Sequence, residues 1–200
     1  MYQYLLGLDL GQQNDYSVLS VLELNKDNLT QQVGYSLVYL KRYALKTSYI
    51  TIADNVKLIT NSNKFLDKHA LVIDQTGVGR PVMDVFKDNN IRPFGITITG
   101  GNSTNWEGRR EIKVPKRDIV SSLQVVFQNK RIKIAGNLPD IDLIKKELLY
   151  FRSKISNSGH DSYAAISSMH DDIVMSIGLA IWYGEYLFNR RKSVRIIGGN

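Results

Sequence analysis

The sequence predicts an α/β fold: a mixed sheet in which an antiparallel three-strand meander is joined by parallel strands, with helices on both faces. Three observations carry this prediction. Residues 4–10 and 69–74 are continuous apolar runs, the pattern of strands covered on both faces. The first run is followed by two β-type segments across short polar turns, which makes a meander. The second is followed by helix–strand alternation, which pairs strands in parallel.

The elements follow in order. Residues 4–10 form a buried strand ending at Gly11, and its one charge, Asp9, needs a reason because an unpaired buried carboxylate is expensive. A polar turn carrying Asp15 leads to a second, alternating strand at 17–24 and a third at 32–43. Residues 48–66 read as a helix, with Ile52, Val56, Ile59 and Phe65 near helical spacing. The second apolar run ends in Asp74, and Gly77 and Gly79 turn the chain into a short helix over 82–89. A strand at 91–98 follows. Residues 99–114 are polar, Gly-rich and basic, which predicts a mobile surface loop.

Pro115 sits where a helix can start, and Ile119, Leu123 and Val126 share one face of residues 116–128. A short strand at 131–134 and an amphipathic helix at 139–151 come next. Asn157-Ser158-Gly159 predicts a hairpin with a flexible tip over 152–165. The last helix runs from Asp171 to about residue 188, and Ser168 with Asp171 fits a capping box. Ser176, Ala180 and Gly184 make a small-residue stripe that lets this helix lie close to a sheet. The domain is expected to span residues 1–188, with a basic, flexible tail over 189–200.

Composition narrows the function. At 200 residues, 43% apolar and 22% charged, the chain is ordinary globular material for a single domain. With no cysteine it has no disulfide framework, zinc-finger pattern or thiol nucleophile, which suits an intracellular setting. The N-terminus lacks the basic n-region of a signal peptide, and no apolar run reaches membrane-spanning length. A net charge of +7 favours an anionic partner such as nucleic acid.

The chemistry is expected where the two apolar strands end. Parallel neighbours place their C-terminal ends on one edge, so Asp9 and Asp74 should meet there, joined by Asp171 and Asp172 if the last helix points its N-terminus at that edge. Converging carboxylates repel one another, and hard divalent cations such as Mg²⁺ or Mn²⁺ remove the penalty. Two such ions can activate water and stabilise a leaving oxygen in phosphodiester cleavage. The structural alternatives are a strand-end Asp9 capping its turn and an Asp171–Asp172 pair that only caps a helix. Asp172 is the first choice of ligand in the last pair, since Asp171 has a place in the capping box, but both are kept. Asp15 and His170 are candidates for supporting groups around the ligands. Arg109, Arg110, Lys113, Lys116 and Arg117 form the densest basic cluster and are the DNA-contact candidates, against a solvated loop as the plain alternative.

These residues carry a family resemblance. Gly7-Leu8-Asp9-Leu10-Gly11 with Asp15, Val72-Ile73-Asp74 with Gly77 and Gly79, Val114-Pro115-Lys116, and His170-Asp171-Asp172 opening the last helix occur in an order that resembles the nuclease domain of the large terminase subunit of tailed bacteriophages, an RNase H/RuvC-like fold. The resemblance implies a metal-dependent endonuclease cutting concatemeric double-stranded phage DNA during packaging, in the host cytoplasm. It implies Asp9, Asp74, Asp171 and Asp172 as metal ligands. A packaging ATPase domain, a small terminase and a portal protein are the implied partners. One departure stands out: no G-x-x-x-x-G-K-[ST] loop occurs, so the chain is expected to be an excised domain or stand-alone relative that does not hydrolyse ATP. Three other readings compete: a RuvC-like junction resolvase, an actin-like ATPase or sugar kinase suggested by residues 7–11, and a non-catalytic basic DNA-binding module. The last leaves the strand-end aspartates unexplained.

Overall fold

A computed structural model of the chain describes residues 2–12, 14–26, 32–157 and 171–197. Strands β1 (Tyr4–Asp9), β2 (Val18–Lys26) and β3 (Val33–Arg42) form the expected antiparallel meander. Helix α1 (Tyr49–Thr60) leads to β4 (His69–Asp74), which lies parallel to β1. Helix α2 (Gly79–Asp88) leads to β5 (Phe94–Thr99), parallel to β4. Then come β6 (Asn105–Trp106), β7 (Glu111–Pro115), α3 (Lys116–Gln128), β8 (Ile132–Ile134), α4 (Ile141–Asn157) and α5 (Asp172–Ile197). Among the described residues the strands make one sheet, in the order β6-β7-β5-β4-β1-β2-β3-β8. Ser48 caps α1, its side chain accepting from the Thr51 N–H at 3.1 Å.

The structure departs from the sequence reading in five places. Helix α1 ends at Thr60, six residues short of the expected end, and Phe65 lies in the turn that follows. The segment 99–114 is not a loop throughout: β7 pairs parallel to β5 and buries Ile112 and Val114. That two-residue alternation is a strand signal masked by the polar, Gly-rich stretch before it. Helix α4 continues through Asn157, so the expected hairpin does not begin at residue 152; the rest of that expectation lies outside the described residues. Helix α5 extends to Ile197 rather than stopping near residue 188. No Gly or Pro stands between residue 188 and Gly198 to end the helix earlier. Finally, the Asp171 carbonyl accepts from the Met175 N–H at 2.8 Å, making Asp171 the residue that caps α5. Ser168 lies outside the described residues.

The sheet separates two apolar layers. On one face α1 and α2 cover Leu6, Leu8, Leu19, Val21, Leu71 and Ile73. On the other, α3, α4 and α5 cover Leu5, Leu22, Leu37, Val72, Ile96 and Val114. Strand side chains alternate between faces, so Gly7 and Asp9 follow Leu5 onto the α5 face, and Asp74 follows Ala70 and Val72 there.

The small residues decide how close α5 comes. A Cβ placed on Gly7 would run into the Ser176 carbonyl oxygen and stand 3.2 Å from the Ala180 methyl; one on Gly184 would stand 2.8 Å from Leu5. Helix α5 therefore runs antiparallel to β1, with Gly184 over Leu5 and Ser176 over Gly7. One turn beyond Ser176 lies Asp172, and two strand residues beyond Gly7 lies Asp9. Those steps are about 5.4 Å and about 6.7 Å, so the two carboxylates come out nearly level. Replacing Gly7 with Ala should therefore destabilise the protein by about 3 kcal/mol, because backbone rather than a mobile side chain blocks the new methyl. Urea denaturation measures this, and an unchanged midpoint would contradict the close contact.

Candidate functional site

Four carboxylates collect at the C-terminal edge of β1 and β4. Asp9 and Asp74 are the last residues of their strands, Asp171 caps α5, and Asp172 is its first residue. Asp172 is buried, at 7% exposure, while the other three open partly to solvent. The structure brings the four near enough that the charges of Asp74, Asp172 and Asp171 all act on Asp9. Among the described residues, no group of three or more acidic or histidine side chains is arranged to hold a metal ion.

Electrostatics records the crowding. Burial, followed by the charges of Asp74, Asp172, Asp171 and Asp15, holds the Asp9 carboxyl well above the usual carboxylate range. Burial also raises Asp74, against the opposing pull of Thr76 and the Lys116 ammonium. The Asp74 Oδ1 accepts the Thr76 N–H at 2.7 Å, and the Tyr16 N–H donates to Asp172 Oδ2 at 3.3 Å. These bonds orient the carboxylates from behind. The two aspartate loops are also tied together, because Gln12 Nε2 donates to the Gly77 carbonyl at 2.9 Å. Gly77 has φ 78°, a conformation that suits glycine, and a Cβ there would strike the Gln12 amide.

The basic cluster divides. Lys116, the first residue of α3, lies 3.7 Å from Asp171 Oδ2, inside the acidic edge rather than on an outlying patch. Arg117 is beside it, donating to the Asn102 carbonyl at 2.8 Å. Arg109 and Arg110 stand at the opposite end of β7, about 16 Å away along a five-residue strand. Arg110 donates to the Arg92 carbonyl at 2.7 Å and covers the Phe94 ring, while Lys113 pairs with Glu107 at 2.5 Å. The five residues do not form one surface, because β7 is a strand that spaces them out. Asp15 is exposed in the turn after β1, where its charge reaches Asp9, and His170 lies outside the described residues.

Two contributors were not visible in the sequence. Glu147 of α4 is 8% exposed and accepts the Ile173 N–H on Oε2 at 3.3 Å. Burial first, and then the charges of Asp172 and Asp171, push its carboxyl up to about 7, opposed by the Ile173 hydrogen bond and Arg42. Arg42 closes β3 and stacks 3.3 Å from the Tyr16 ring centre. A lone Glu in Lys145-Lys146-Glu147 looks like any solvated helix charge, and a basic strand end looks ordinary.

The donors fit a hard divalent cation: they are carboxylates only, and they repel one another where they stand. Mixed sheet, covering helices and an acidic C-terminal edge together define an RNase H-like domain. A family model, the terminase RNaseH-like domain, matches residues 6–183, and the chain belongs to that family. The large terminase subunit of Thermus virus P23-45 is 26% identical over 183 residues, covering 92% of this chain, and that of Thermus phage G20c is 25% identical over the same length. The chain spans 32% of each of these relatives. Among solved structures, the large terminase nuclease of phage G20c superposes with a TM-score of 0.55 at 20% identity, covering 88% of this chain and 80% of the other. The Mn-soaked human cytomegalovirus terminase nuclease domain superposes with a TM-score of 0.51 at 12% identity, covering 89% and 81%.

The raised carboxyls set a pH dependence. Because folding raises the Asp9 and Asp74 carboxyls, the folded metal-free protein releases their protons at higher pH than the unfolded chain does, so stability falls as pH rises above the ordinary carboxylate range. Asp9→Asn cannot ionise and so removes one source of this cost. Its melting temperature without metal should exceed that of the wild type near neutral pH, by about 2–4 °C per kcal/mol of repulsion relieved, and the gain should shrink toward acid pH. Calorimetry in chelator checks both, and equal melting across the range would mean the carboxylates do not repel.

Proposed function

We propose that this chain is a divalent-metal-dependent DNA endonuclease, the nuclease part of a large terminase subunit that cuts double-stranded DNA during genome packaging. The observation that carries the reading is the meeting of Asp9, Asp74, Asp171 and Asp172 on one sheet edge in a member of the terminase RNaseH-like family. Mg²⁺ or Mn²⁺ is the proposed cofactor, in two sites, and the Mn soak of the cytomegalovirus nuclease domain is consistent with such ions. When bound, the ions supply an activated water and charge stabilisation at the leaving oxygen.

The chain's own residues do the rest. Asp9 and Asp74 present acceptor oxygens from rigid strand ends. Asp171 and Asp172 present theirs from the helix start, where the dipole favours negative charge. The Thr76 and Tyr16 N–H groups hold two of the carboxylates in one orientation. Lys116 offsets part of the negative charge and, with Arg117, offers cations to substrate phosphates on the same edge. Packaging ATPase, small terminase and portal remain the proposed partners, as in a packaging assembly, and the host cytoplasm the proposed location. Among the described residues no helix is long and apolar enough to cross a membrane. A purely DNA-binding module would gain nothing from four carboxylates on the surface that faces phosphate.

Nicking of supercoiled plasmid with Mn²⁺ tests the reading. Asp9→Asn, Asp74→Asn and Asp172→Asn should each slow cutting about a hundredfold or more while remaining folded. Wild-type rates in Asp9→Asn or Asp74→Asn would overturn the assignment.

DNA grip gives a second measurement. Replacing Lys116 and Arg117 by Ala should flatten the log–log salt dependence of binding by up to about two units, at about 0.9 per lost phosphate contact. The Arg109→Ala/Arg110→Ala double variant should leave that slope intact. The reverse pattern would place the duplex along the far edge of the sheet.

A further inference from the structure

The first turn of α5 holds half of the acidic set, and its backbone is held by a residue from another helix. A helix start leaves its first N–H groups without intrahelical partners. At Ile173 that N–H is answered across 26 residues by Glu147 Oε2, in a buried setting. Glu147 is 92% buried, the complement of its 8% exposure, and its Oε1 accepts no hydrogen bond from any described residue. Burying a carboxylate with one oxygen unanswered is costly, and core packing alone would favour an apolar side chain.

The surroundings show what this carboxylate supports. Asp172 is gripped on two sides: the Tyr16 N–H donates to its side chain, and Glu147 accepts from the next residue's backbone. Arg42 links the two grips. It lies flat on the Tyr16 ring, and its charge acts on Glu147. Arg42 also stands in the same cross-strand row as Asp9, through the pairs Asp9–Val18 and Val18–Arg42. Strand edge and helix start are thereby braced against each other around Asp172. Glu147 reaches the helix start through its backbone, and the charges of Asp172 and Asp171 act on it there.

We propose that Glu147 is a positioning residue of the site: by accepting the Ile173 N–H it fixes the first turn of α5, and so the placement of Asp171 and Asp172 toward the cation. The inference rests on the nuclease reading above. A hydrogen-bond acceptor is what the role requires. Gln supplies one, whereas Ala and Met do not.

The experiment uses the full chain and two readouts besides cutting: Mn²⁺ affinity by water-proton relaxation, and exchange of the Ile173 amide in metal-free protein by NMR. Glu147→Ala should weaken Mn²⁺ binding about 10- to 100-fold, the usual effect of losing a support behind a ligand, and speed Ile173 exchange about tenfold. Glu147→Gln should stay within about threefold of wild type on both readouts, as a retained acceptor implies. If the Ala variant fails to fold, Glu147→Met, of similar length and without the acceptor, is read in its place. Wild-type Mn²⁺ affinity in a folded Ala or Met variant would overturn the proposal. So would a Gln variant as weak as Ala, since that result makes the charge itself the essential feature. Absence of any Mn²⁺ binding in the wild type would instead bring down the nuclease reading, and this inference with it.

Discussion

The contact between Gly7 and the Ser176 carbonyl is the constraint on which the site depends. Were Gly7 larger, α5 would stand farther from β1 and the two halves of the acidic set would separate. The sheet supplies Asp9 and Asp74, the helix supplies Asp171 and Asp172, and the two bodies touch through residues that carry no chemistry. Ala180 and Gly184 continue the contact, and Tyr35 meets the helix at its middle, where its hydroxyl donates to Glu185 at 2.7 Å. Arg131 pairs with the same Glu185 through two bonds of 2.7 and 2.8 Å. That half-buried bidentate pair is of the kind that gives geometric specificity. The helix is pinned at two points: by Glu185 at its middle, and by Tyr16 and Glu147 at its start.

The acidic edge is a strained place held by packing that is strong elsewhere. Carboxylates are brought together by two well-filled apolar layers, and the repulsion they suffer is borne by that burial. Lys116 relieves part of it. Its position follows from β7, which delivers the start of α3 to the same edge as Asp74. An internal cation beside these carboxylates lowers the net charge of the edge.

Much of this was legible in the sequence, and the reasons differ by residue. Asp9 and Asp74 stood out because a charge at the end of an apolar run contradicts its surroundings. The stripe Ser176, Ala180, Gly184 announced a close-packed helix before any partner strand was known. Strand β7 was obscured because its buried Ile112 and Val114 follow a long polar segment, and the composition of that segment outweighed them. The grouping of Arg109 with Lys116 failed for the same reason, since nearness in sequence becomes distance once a strand intervenes. Glu147 and Arg42 carried no signal at all. Their roles arise only when α4, β3 and α5 meet, and a local pattern cannot report a meeting of segments that lie far apart in the chain.

The length of α5 sets how far apart its two ends act. Twenty-six residues make a rod of about 39 Å, whereas the six residues of β1 cover about 20 Å. Roughly half of the helix therefore overhangs the strand it is moored to, like a boom. Its moored tip carries the acids, and Arg190 to Arg195 lie along the overhang, about 27 to 35 Å from Asp172 along the axis. Tip and overhang are therefore too far apart to act together on one small group.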